Sequence, residues 1–209
     1  MSNDEFMFKA LLVDMDGVIR HVDVKTAEEE SQSIGFTFAE LSSHLWKNPL
    51  IRKLITGQIT RDQWWKILQK QDTRFEKFDQ DRIWNGVFRK NIFDWKLVDY
   101  VRDAGKFLTT AIVTNCDGVS KKRIFQELGN NSPFDHVFSS SDFGFAKPES
   151  EIFSAVLNEL GMQGEDCMFF DDSLSNVETA RTLGIHAFHF VDFESFRTTV
   201  ESMTKPVHP

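Results

Sequence analysis

Cysteine is scarce in this chain: two of 209 residues, Cys116 and Cys167, with no CxxC spacing. A disulfide framework or a thiolate metal cluster is therefore excluded as the basis of the fold, and the pair reads as reduced thiols of a cytoplasmic protein. Positive charge is also in deficit. With 24 Lys and Arg against 32 Asp and Glu, a net charge of −8 and a pI near 5.3, the chain has no general means of neutralising a phosphate backbone. Nucleic acid is not an expected partner. Long apolar runs are missing as well. The N-terminal stretch "FMFKALLV" is broken by Lys9 and followed by acids, too short for a membrane span and unlike a leader. No membrane partner is expected. There is no internal repeat and no low-complexity tract, and nothing in the sequence speaks to oligomeric state.

What is present is ample for a packed core, at 41% hydrophobic residues. The aromatic residues are unevenly placed. Trp46, Trp64, Trp65 and Trp84 fall between residues 21 and 90, leaving only Trp95 elsewhere. The same stretch carries 12 Lys and Arg against 10 Asp and Glu, so it is slightly basic while the remainder is strongly acidic. Residues 21–90 thus read as a separate helical module whose tryptophans form its core, with Thr37, Thr60 and Asp81 as helix N-caps.

Outside that module the pattern alternates. Residues 8–19 predict a buried strand, as does "FLTTAIVTN" at 107–115. Between them "DWKLVDYVRDAG" predicts a helix ending at Gly105. Helix 119–128 is stopped by Gly129, strand "HVFSS" follows, then helix 149–160 stopped by Gly161 and strand "CMFFDD". A helix over 175–183, strand "HAFHFV" and a last helix from Phe193 to Met203 complete the chain. Strands alternating with helices of about this length imply crossover connections, hence an α/β fold with a doubly wound, mainly parallel, Rossmann-like sheet.

In such sheets ligands bind outside the carboxyl ends of the strands. The polar residues there are Asp14 and Asp16 after the first strand, Thr114 and Asn115 after the second, and Asp171 and Asp172 after the fourth, with Lys147 just before the preceding helix. Asp14 and Asp16 stand two apart, so along an extended backbone they share a side, and their repulsion calls for a cation or a division of labour. A carboxylate-rich cluster suits Mg²⁺, which takes oxygen ligands and often bridges to phosphate. A carboxylate can also attack phosphorus, while a second acid protonates the leaving oxygen and later deprotonates water. Arg20 and His21 lie just past this loop, facing either substrate or solvent.

The motifs "DMDGV" at 14–18, "VTN" at 113–115, "KP" at 147–148 and "FFDDSLSNVETARTLGI" at 169–185 resemble, in order, the four motifs of the haloacid dehalogenase (HAD) superfamily. The resemblance implies Asp14 as nucleophile and Asp16 as general acid/base. Thr114, Asn115 and Lys147 would bind the phosphoryl group, and Mg²⁺ would be held by the Asp14 side chain, the Asp16 backbone carbonyl and an acid of the fourth motif. Alignment on Ser173 ranks Asp172 above Asp171 as that ligand; Asp171 stands where a glycine is common and Asn176 replaces a later acid. Cys116 occupies a position often held by glycine or a small hydroxyl, and Ser150 that of a second proline. The insertion after the first motif is similar to the family's smaller cap, giving a core of residues 1–20 and 91–209 around a helical cap at 21–90, jointed near Gly17 and Gly86. The activity implied is Mg²⁺-dependent hydrolysis of a small phosphorylated metabolite. A sugar phosphomutase of the β-phosphoglucomutase type would use the same aspartates. A dehalogenase has no alkoxide to protonate and no use for Asp16, and a phospho-accepting signalling module would place its acceptor after a middle strand.

Overall fold

In the computed structural model, described for residues 8–88, 92–129 and 132–204, a five-stranded sheet forms the centre. Its strands are β1 (Ala10–Val13), β4 (Thr109–Thr114), β5 (His136–Ser139), β6 (Cys167–Asp171) and β7 (His186–His189). Between β1 and β4 in the chain lie β2 (Arg20–His21) and β3 (Ile92–Phe93), which pair with each other as a short antiparallel ribbon. The main sheet has the order β5-β4-β1-β6-β7, and every pairing in it is parallel. Central β1 is flanked on both sides, in register Val13 with Ile112 and Phe170. The chain moves outward from β1 first to one side and then to the other, so the loops at its carboxyl end part there and leave a crevice.

Side-chain alternation divides the apolar residues between two faces. Leu11 and Val13 of β1 join Met168 and Phe170 of β6 in one cluster, while Ala10 and Leu12 join Cys167 and Phe169 in the other. Both faces are covered by helices, which explains why the strands are continuously apolar. A third cluster is built from residues between Ala27 and Phe88, with Trp64, Leu41, Leu45, Leu68 and Phe75 at its centre. The tryptophans are mostly core, as their spacing implied. The helices Phe38–Trp46 and Arg61–Gln71 begin at capping boxes on Thr37 and Thr60.

Several expectations shift. The first strand is four residues rather than twelve, because the chain turns at Asp14; Gly17 N–H donates to the Arg20 carbonyl at 2.8 Å. The cap near residue 80 is Asp79, whose side chain accepts from Arg82 N–H, and Asp81 lies within the helical turn it starts. Gly86 is buried inside the π-helix Ile83–Val87, so it offers no loose joint. A short helix, Ser140–Phe143, follows β5 directly. The expected boundary at 90/91 lies outside the described residues. Among those described, no helix is long and apolar enough to cross a membrane.

Candidate active site

Asp14 follows the last residue of central β1, and its N–H still donates to the Phe170 carbonyl of β6 at 2.9 Å, so the sheet fixes its backbone. Its carboxylate accepts from Met15 N–H at 2.7 Å and lies 2.7 Å from Lys147 Nζ. Lys147 is buried and also contacts Asp171 at 2.6 Å. Asp171 is fully buried with both oxygens engaged: one takes Lys147, the other accepts from Ser173 N–H and Asn176 Nδ2, each at 2.8 Å. Asp172 is exposed, its backbone carbonyl 2.9 Å from His189 Nε2. One carboxylate oxygen from each of Asp14, Asp171 and Asp172 lies within 4.8 Å of the others.

Three carboxylates around one lysine leave an excess of negative charge. Burial, only partly offset by Lys147 and aggravated by Asp171, pushes Asp14 up to about 7. Burial, then Asp171, raises Asp172 as well. For Lys147, burial alone would lower the pKa, but Asp14 and Asp171 outweigh it and hold the ammonium above its ordinary value. An all-oxygen cluster short of positive charge is the donor set a hard divalent cation takes.

The Asn115 side chain faces the Lys147 backbone. Its Oδ1 accepts from Lys147 N–H and its Nδ2 donates to the Lys147 carbonyl, both at 2.8 Å, so the side chain clasps the lysine backbone. Thr114 is buried at the end of β4 beside it. Asp16 stands apart from the acidic cluster. Both its oxygens face Arg20, whose Nε and Nη2 donate at 2.7 and 3.0 Å, and Arg20 in turn donates to Glu127 at 3.0 Å. Arg20 is therefore a buried ion-pair residue rather than a free surface cation. Gly17 lies against Asp172: a Cβ there would stand 2.2 Å from Asp172 Oδ2, and its φ of +95° already favours glycine.

Sequence reasoning missed three residues beside this site. Arg61 forms a bidentate pair with Asp117 at 2.8 and 2.5 Å, and Arg123 donates to the carbonyls of Trp84 and Phe88. Asp117 also caps the helix Gly118–Leu128 through Ser120 N–H. A cap signal was readable in Asp117; its partner, 56 residues earlier, was not.

A family model described as haloacid dehalogenase-like hydrolase matches residues 8–184. The chain belongs to this family. Among curated HAD-like relatives, it is 23% identical over 190 residues to D-ribitol-5-phosphate phosphatase of Bacteroides thetaiotaomicron, covering 87% of this chain and 91% of that protein. Other relatives are much longer. The match to acyl-CoA dehydrogenase family member 10 of Mus musculus, 38% identical over 81 residues, spans 39% of this chain and 8% of that protein. That to bifunctional epoxide hydrolase 2 of Sus scrofa, 23% identical, spans 94% and 39%. Among solved structures, a HAD family enzyme from Bacteroides thetaiotaomicron in complex with magnesium and inorganic phosphate superposes with a TM-score of 0.74 at 22% identity, covering 90% of this chain and 98% of that one. L-2-haloacid dehalogenase from Xanthobacter autotrophicus gives 0.64 at 16%, covering 94% and 83%. At these identities the structures establish the fold alone, a HAD-like Rossmann core. The chain is thus a member of the haloacid dehalogenase-like hydrolases, with phosphatases among its relatives.

Proposed function

We propose that this hydrolase cleaves phosphate monoesters of small metabolites, with Mg²⁺, through an aspartyl phosphate on Asp14, and that residues 21–90 form a cap over the site. One observation carries the reading: the Asp14 carboxylate, fixed at the end of the central strand, lies 2.7 Å from a buried lysine and within one 4.8 Å cluster with Asp171 and Asp172. The likeness to a phosphatase over 91% of that relative's length supports it.

Asp14 attacks phosphorus and the ester oxygen leaves, taking a proton from Asp16; water, deprotonated by Asp16, then cleaves the acyl phosphate and frees Asp14 and inorganic phosphate. To reach the leaving oxygen, Asp16 must turn from Arg20. Lys147 and Thr114 face the charge of the transferring phosphoryl group, and Asn115 acts through Lys147 by fixing its peptide. Asp171 anchors Lys147 with both oxygens taken, so we assign the metal to Asp14, Asp172 and the Asp16 carbonyl. When bound, Mg²⁺ supplies charge neutralisation and orientation for the phosphate oxygens.

The test is phosphate release from a panel of phosphorylated metabolites and p-nitrophenyl phosphate with Mg²⁺, repeated with EDTA. Metal-dependent release, abolished in Asp14→Asn, is expected. Release that persists in EDTA or in Asp14→Asn would overturn the reading, and return of phosphate to a sugar hydroxyl instead of water would mark a mutase.

A further inference from the structure

A cavity of about 590 Å³ opens beside Asp16, Gly17 and Asn115 and runs under the helices of the third cluster. Its volume is in the range that encloses a drug-sized molecule, roughly 300–1,000 Å³, far more than a phosphate needs. Its lining includes an aromatic group from the third cluster's helices: Phe38, Trp46, Trp84 and Phe88 contribute, with ring centroids 5.9 Å apart for Trp46–Trp84 and 5.4 Å for Trp84–Phe88. Trp46 is 44% exposed, a large aromatic surface left open on the cavity side of a cluster that buries its neighbours.

The charges lining this space are already matched. Arg20 is shared between Asp16 and Glu127, Arg61 lies in its bidentate pair with Asp117 and over the Trp84 ring at 4.4 Å, and Arg123 is taken by Glu127 and two carbonyls. Each arginine of the wall already faces a carboxylate, so a second anionic group on the substrate would have to compete with Asp16, Glu127 or Asp117. Burial pushes the Cys116 thiol up to about 12, so it too is a neutral surface. The wall does hold polar groups, Ser42, Ser120 and the Trp84 indole N–H, which has no partner among the described residues. Its exposed surface is mainly apolar, so each sugar hydroxyl that meets the aromatic part would lose water without a partner in exchange.

We propose, on the basis of the phosphatase reading above, that the alcohol released by this enzyme is largely apolar and carries no second charged group, and that it lies in this cavity against Phe38, Trp46, Trp84 and Phe88. Apolar burial rather than hydroxyl recognition then selects the substrate.

The experiment compares kcat/KM with Mg²⁺ for n-alkyl phosphates from methyl to decyl, glycerol 3-phosphate, glucose 6-phosphate and p-nitrophenyl phosphate. Each methylene that enters the cavity is expected to raise kcat/KM about three- to fourfold until the space is filled, placing decyl phosphate at least about 100-fold above glycerol 3-phosphate, some four such steps. Trp46→Ala should lower the decyl-to-methyl ratio by about tenfold, and Trp46→Phe should restore part of it. Val24→Asp, at an exposed position of the cavity rim, should depress the same ratio by placing a charge beside the chain. Activity that is flat with chain length, higher on the sugar phosphates, or unchanged in ratio in both variants would overturn the proposal while leaving the phosphatase reading intact. No hydrolysis of any ester, p-nitrophenyl phosphate included, would overturn both.

Discussion

At the scale of single residues, Asp14 is the place where function and stability conflict. Its pKa of about 7 exceeds the ordinary 3.8 because burial outweighs Lys147, so the folded state binds this proton more tightly than the unfolded state does. The sign follows: in the metal-free protein, stability falls as pH rises between about 4 and 7, by up to about 1.4 kcal/mol per pH unit from this group. Asp14→Asn keeps the shape and removes the charge. It should abolish turnover and yet be more stable than the parent at pH 7.5, with the gain shrinking at pH 4.5. Denaturant midpoints of both metal-free proteins at the two pH values check this, and an equal gain at both would show that Asp14 is not the strained group. The neighbouring acids should separate in another way. Asp171→Ala strips Lys147 of one of its two buried partners and leaves Ser173 N–H and Asn176 without their acceptor, so a loss of roughly 3–5 kcal/mol of stability is expected. Asp172→Ala, at an exposed position, should leave the melting temperature nearly unchanged and raise the Mg²⁺ concentration needed for half-maximal activity. Calorimetry and metal titration read the two effects; the reverse pattern would exchange the roles of anchor and ligand. Asp16→Asn should slow alkyl phosphates by about 10²- to 10⁴-fold and p-nitrophenyl phosphate far less, since only a poor leaving group needs the proton. Steady-state rates on the two esters decide it, and equal losses would remove Asp16 from that role.

At the scale of elements, the loop after β1 depends on Gly17 twice over, through its φ of +95° and through the 2.2 Å approach that a Cβ would make to Asp172. Gly17→Ala therefore has to shift either the loop or the acid. Its expected signature is a weaker Mg²⁺ response together with lower stability, and a variant with normal Mg²⁺ titration would show that this approach is slack. The glycine was legible in the sequence, as were most strands and helices, because their signals are local. Thr37 and Thr60 announce their own helices, Gly129, Gly161 and Gly184 end theirs at positive φ, and apolar runs mark strands buried on both faces. The acids at the strand ends were legible for the same reason, since a parallel sheet places all its carboxyl ends together. What could not be read was long-range pairing. Arg20 meets Glu127 across 107 residues and Asn115 meets the Lys147 backbone across 32, so neither the ion pair that turns Asp16 aside nor the clasp on the lysine leaves a trace in local pattern. The ribbon of β2 with β3 escaped because two residues per strand are too few to alternate.

At the scale of the whole molecule, the question is what holds residues 21–90, the proposed cap, against the rest of the chain. Among the described residues, polar contacts between the two include Arg52 with Glu149 at 2.6 Å, Arg61 with Asp117 and with Ser120 Oγ, Ser140 Oγ donating to the Ile55 carbonyl at 2.6 Å, and Arg123 donating to the carbonyls of Trp84 and Phe88. The joints on the other side are the β2–β3 ribbon and Asp94 N–H donating to the Ile19 carbonyl at 2.9 Å. These latches differ in worth. Arg52 is half exposed, and such a pair contributes about 0–1 kcal/mol. Arg61 and Asp117 are both nearly buried, so deleting the arginine strands a carboxylate away from water at a cost of roughly 3–5 kcal/mol while the cap stays closed. Opening the cap hydrates Asp117 and relieves that cost, which shifts the balance toward the open arrangement. Arg61→Ala is therefore expected to loosen the cap and Arg52→Ala to leave it in place. Hydrogen exchange reads the difference at Arg20–His21, Ile92–Phe93 and the amides around Ile55, which should exchange faster in Arg61→Ala alone, with a raised KM for esters that fill the cavity. Equal protection in the two variants would mean that the aromatic cluster and the ribbon, not the arginine latch, fix the cap, and that the substrate enters without the cap moving.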